Sequence, residues 1–108
     1  MKNLDKDFVR KRITALRLIK GVSENKMSLA LGHGRNYIHN IATGKYLPTM
    51  ASLMQICEYF EITPSDFFDE KVSNPILVRK LLNSAKEMSD EDIIWLNKVI
   101  DRLNEHRD

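Results

Sequence analysis

The sequence predicts an all-α chain: five short helices closing one core over residues 1–70, then two further helices over residues 71–108. Three observations predict it. Apolar residues recur at helical spacing, and no stretch alternates convincingly in the manner of a half-buried strand. Capping residues and helix breakers punctuate the chain at Gly21-Val22-Ser23, Leu31-Gly32, Gly44, Pro48-Thr49, Thr63-Pro64, Asn74-Pro75 and Ser89. Composition, at 43% hydrophobic and 30% charged, is that of a folded domain and not of a disordered one.

The first helix is expected from about Asp5 to Lys20, with Val9, Ile13 and Leu16 inward and Gly21 as its stop. Ser23 caps a second helix, in which Met27, Ala30 and Leu31 face the core and Gly32 ends the run. A third opens at Gly34, buries Ile38 and Ile41, and closes near Thr43-Gly44. The fourth starts at Pro48-Thr49 and carries Met50, Leu53, Ile56, Cys57 and Phe60 as one apolar stripe. Thr63-Pro64-Ser65-Asp66 combines a capping Thr, Pro at the first helical position and an acid three residues after the cap, so a short fifth helix follows. Phe67 and Phe68 dock it. Past a polar joint at Glu70–Ser73, Asn74-Pro75 starts a sixth helix with Leu77, Leu81, Ala85 and Met88 along one side. Ser89 caps a seventh, where Asp92 is placed to return the bond. There Ile93, Leu96, Ile100 and Leu103 form a stripe that Ile94, Trp95 and Val99 widen.

Several function classes lose support on composition. No apolar run approaches the ~20 residues of a membrane span, and Met1 to Asp5 has no signal-peptide core. A cytoplasmic protein is expected. Cys57 is the single cysteine and falls on the fourth helix's apolar stripe, where a buried inert thiol is expected. His33, His39 and His106 lack metal-ligand spacing, so neither a metal nor another cofactor is expected. No phosphate-binding glycine loop or nucleophile triad is present, which leaves little for an enzyme.

Charge is the more informative quantity. Residues 1–46 hold ten Lys/Arg against three acids, a net of +7, while residues 47–108 hold seven against twelve, a net of −5. A basic half suits a polyanion. That half also contains two helices joined by a tight turn at Gly32, the arrangement of a helix-turn-helix. Arg35 and Asn36 lie at the start of the third helix, and Tyr37, His39 and Asn40 lie on or near its outer face. Arg donates two bonds to guanine and Asn pairs with adenine, so this face carries a base reader's chemistry.

Residues 9–68 resemble the phage-repressor and Cro-like helix-turn-helix family, also called the xenobiotic-response-element family. The resemblance rests on Ile13 to Arg17, Gly21-Val22-Ser23, Gly32, Ile38, Gly44 and Pro48 in order and at the family's spacing. It implies a five-helix, lambda-repressor-like DNA-binding domain whose third helix is the recognition helix. By position it implies that Arg35, Asn36 and Asn40 read bases, and His39, which lies beside them, is expected to join them. It also implies that Ser23 and Lys45 hold phosphates, with Tyr37 able to reach base or backbone. Three departures stand out: Glu24 for the usual Gln, Ser28 for a small Ala, and Ala42 for a Glu that pairs with the first helix's Arg. A carboxylate at Glu24 would repel phosphate. Ser28 adds a hydroxyl that needs a partner. Arg17 must find another acid or meet phosphate itself.

The last two helices cannot bury both apolar sides alone. A twofold DNA reader needs a dimer interface, so residues 75–106 are expected to make a homodimer through Leu81, Ile93, Trp95, Leu96, Ile100 and Leu103. The function expected is a sequence-specific regulator of double-stranded DNA, a small bacterial or phage repressor. The alternative is an antitoxin or other interaction protein whose C-terminal helices bind a toxin or another protein partner.

Overall fold

The computed structural model describes residues 5–106. Among them are seven helices and no strand: α1 (Lys6–Lys20), α2 (Glu24–Ala30), α3 (Tyr37–Ala42), α4 (Met50–Phe60), α5 (Pro64–Phe67), α6 (Pro75–Ala85) and α7 (Asp90–Glu105). Their starts follow the capping chemistry of the sequence. The side chains of Asp5, Ser23, Thr49, Thr63, Asn74 and Ser89 each accept the backbone N–H three residues on. These bonds satisfy amides that have no partner inside the helix. The reciprocal capping box forms at Thr63 and Asp66. At Ser89 the Asp92 amide donates to the hydroxyl at 3.2 Å. Gly21 ends α1 at φ 76° and Gly32 turns the chain at φ 80°. A Cβ on Gly32 would meet nothing within 4 Å, so glycine is needed there for its backbone angle and not for room.

The core is shared by α1 to α5. Ile13, Leu16, Met27, Ile38, Ile41, Leu53, Ile56, Cys57, Phe60, Ile62 and Phe67 make one buried cluster. Burial pushes the Cys57 thiol up to about 11, so it stays protonated and inert as expected. Two residues expected inward face solvent instead. Ala30 is exposed at the last position of α2, and Met50 is 75% exposed at the first position of α4. Both sit at helix ends, where the stripe runs past the neighbours that would cover it.

Arg12, counted above only as a basic helix residue, is buried. Its guanidinium donates to the carbonyl oxygens of Phe67 and Val72 at 2.9 Å each, and to that of Asp69. It also lies 5.2 Å from the Phe8 ring centroid. A four-residue helix leaves its last carbonyl without an intrahelical donor, and one planar fork from α1 takes that carbonyl, of Phe67, together with two of the joint that follows. Arg12→Met should therefore keep much of the stem packing but take the donor from the Phe67 and Val72 carbonyls, while that of Asp69 still accepts the Val72 N–H. We expect a loss of about 2–3 kcal/mol in urea unfolding, against under about 0.5 kcal/mol for exposed Lys11→Met.

The same joint anchors α6. Arg79 grips Asp66 through Nε at 2.8 Å and Nη2 at 3.0 Å. This bidentate bond, helped by the Thr63 contacts and opposed by burial, holds the Asp66 carboxyl down at about 2. Pro75 is buried and Ile76 packs on the core, so α6 docks by its N-terminal half. Beyond it the chain projects. The radius of gyration is 16.5 Å, against about 13 Å for a compact chain of this length. Helix α7 buries no residue in the single chain.

Candidate nucleic-acid interface

Helix α3 is short and held from both sides. Ser28 Oγ donates to the Glu24 carbonyl at 2.8 Å and accepts the Ile38 N–H at 2.9 Å. The hydroxyl that looked like a liability thus ties α2 to the first turn of α3. At the other end Arg10 Nε donates to the Ile41 carbonyl at 3.2 Å, and Nη2 reaches the Gly44 carbonyl at 3.5 Å. A six-residue helix is marginal alone. Here its orientation comes from Ile38 and Ile41 in the core and from these two braces.

The regular helix begins at Tyr37, three residues later than expected from Gly34. Arg35 and Asn36 therefore lie in the turn that leads into α3. Asn36 is the N-cap residue, yet its side chain makes no capping bond. Both side chains are exposed, as is His39, while Asn40 is half-buried with its amide 3.5 Å from the Tyr46 hydroxyl. His33, Gly34, Arg35, Asn36, Tyr37, Asn40 and Tyr46 line one shallow cleft of about 320 Å³. The structure thus brings Arg35, Asn36 and Asn40 together, with His39 on the same short helix.

Tyr37 is placed differently from the other candidates. Its ring stacks on His33 with centroids 3.6 Å apart and planes 4° from parallel, and its hydroxyl is buried with no hydrogen-bond partner. In this conformation it supports the cleft from within and does not reach outward to base or backbone. Tyr46, overlooked in the sequence, is the tyrosine exposed at the cleft. Nothing in the spacing distinguishes the two, because only the packing of the α3–α4 connection turns one ring in and the other out.

The departures from the family pattern also find partners. Arg17, lacking an acid at Ala42, donates to the Val22 carbonyl at 2.9 Å and braces the turn between α1 and α2. Glu24 Oε1 lies 3.0 Å from His39 Nδ1. Ser23 and Lys45 are exposed at the start of α2 and just past α3, and Lys26 is exposed on α2.

Two helices joined by a tight glycine turn, the second of them short, braced and polar outward, define a helix-turn-helix protein. A family profile described as a helix-turn-helix domain matches residues 11–71, more than half of the chain, and the chain belongs to that family. Comparison with curated proteins and with solved structures finds no significant match. Family membership points to a DNA-binding regulator. No helix among the described residues is long and apolar enough to cross a membrane.

Proposed function

We propose that the chain is a sequence-specific regulator of double-stranded DNA, a small bacterial or phage repressor that binds as a homodimer. The observation that carries this reading is the set of exposed Arg35, Asn36 and His39 with half-buried Asn40, on and before a helix that the core, Ser28 and Arg10 hold. Rigid support matters because base readout needs donors and acceptors placed in advance. In this reading Arg35 and Asn36 read base edges from the turn before α3, and His39 and Asn40 read from the helix. Ser23, Lys45 and Arg17 hold phosphates.

The dimer is proposed to form through residues 75–106. In the single chain Leu77, Val78, Leu81 and Leu82 leave one side of α6 uncovered, and Ile94, Trp95 and Leu103 are exposed at different points around α7. Ile93, Leu96 and Ile100, also expected at the interface, are half-buried. Exposed apolar surface of this extent is what an interface covers. A chain that sediments as a monomer alone but binds a second protein would favour the antitoxin-like reading.

Binding assays with single substitutions test the readout. Arg35→Ala and Asn36→Ala should each relax preference at one operator position, at about 1–3 kcal/mol. Lys45→Ala should weaken specific and random duplexes alike. Equal weakening of specific and random DNA by Arg35→Ala would overturn direct readout by that residue.

A further inference from the structure

We propose that Glu24 is a specificity-determining residue that acts through His39: its carboxylate decides which edge of the imidazole meets a base. The proposal rests on the DNA-reading function above.

Glu24 opens α2 and His39 is the third residue of α3. Their side chains meet at 3.0 Å, Oε1 to Nδ1. A carboxylate is an acceptor only, so Nδ1 carries the proton and donates. The partner of one ring nitrogen fixes the tautomer and the orientation of the other. With Nδ1 committed to Glu24, Nε2 on the far edge of the ring is the nitrogen left for a ligand. The ring remains available, because the His39 side chain keeps 56% of its exposure.

An ion pair between two mobile surface side chains would define nothing, since holding both costs as much entropy as the contact returns. This pair differs because the backbone beneath it is already tied. One hydroxyl, Ser28 Oγ, binds the carbonyl of Glu24 and the amide of Ile38, the residue before His39. The main-chain positions of Glu24 and His39 are therefore in register before their side chains meet. Ser28 and Glu24 are also two of the three departures from the family pattern, and together they build one device. The same contact gives the Glu24 carboxylate a donor but no counter-charge, because an imidazole protonated at Nδ1 alone is neutral.

The experiment uses the full chain. Imidazole ¹⁵N shifts are recorded for wild type and Glu24→Ala, and bound duplexes are selected from a random pool with wild type, Glu24→Ala, Glu24→Gln, His39→Ala and the Glu24→Ala/His39→Ala double variant. The wild-type His39 ring should show a protonated Nδ1, and Glu24→Ala should give a mixture of tautomers. Glu24→Ala and His39→Ala should lose preference at the same base pair, each by roughly 5- to 10-fold, and the double variant should lose no more. Glu24→Gln should keep that preference, because its amide oxygen still accepts from Nδ1–H. Loss of preference at different base pairs, uniform weakening across sequences by Glu24→Ala, or unchanged His39 nitrogen shifts would each overturn the proposal alone. A wild-type chain that selects no sequence would overturn the DNA reading and this proposal together.

Discussion

Affinity for an operator is expected to fall roughly 10³-fold between about 50 and 200 mM salt, if a dimer neutralises about six phosphates. The direction follows from the net +7 of residues 1–46, since each phosphate neutralised releases a condensed counterion. The size follows from which of those cations are available. Arg12 is spent inside the fold and Arg10 on two backbone carbonyls, whereas Arg17 commits only Nη1, to the Val22 carbonyl. With Arg35 assigned to a base, Arg17, Lys26 and Lys45 are left for phosphate beside the two reading helices, three per protomer. Six in a dimer give a log–log slope of about −5, and three in a monomer give about −3. Fluorescence anisotropy with a labelled duplex measures the slope. A flat profile would argue against phosphate-driven binding, and a slope near −3 would argue for a single protomer on the site.

The second large effect is on assembly. Trp95 and Leu103 are 66% and 63% exposed in the single chain, so Trp95→Asp with Leu103→Asp should leave the fold of each protomer intact. Placed in an interface, two carboxylates without partners oppose association. Sedimentation should show a monomer. Binding to a two-half-site operator should weaken by about 10²- to 10⁴-fold, because the second half-site loses its effective concentration. Binding to one isolated half-site should change little. Leu96→Asp is a poorer probe, since Leu96 is already half-buried in the single chain and the substitution would disturb both states. A double variant that still sediments as a dimer would move the interface elsewhere.

Particular residues show where the sequence was legible. The helix starts were, because a cap is a local device: Ser23, Thr63, Asn74 and Ser89 each bond three residues ahead. The start of α3 was not. Gly34 marks a break but does not say how many turn residues follow, and Asn36 makes no capping bond to announce the helix. The exposure of His39 on α3 was readable from spacing, and the inward turn of Tyr37 was not. The partners of Glu24, Arg17 and Arg12 were not, because they lie 15, 5 and up to 60 residues away along the chain or are backbone atoms without a side-chain signature.

The sequence by itself determined the all-α class, the order of seven helices, most residues of the core but not Ile62, and the presence of a helix-turn-helix in the basic half. Each of these depends on periodicity, capping or composition, which act over a few residues. Only the tertiary structure decided that Arg12 seals the end of α5, that Ser28 pins α3, that Tyr37 points inward and that Glu24 holds His39. Those depend on hydrogen bonds and packing between helices, and the same residue types at the same spacing allow several such arrangements until the core chooses one.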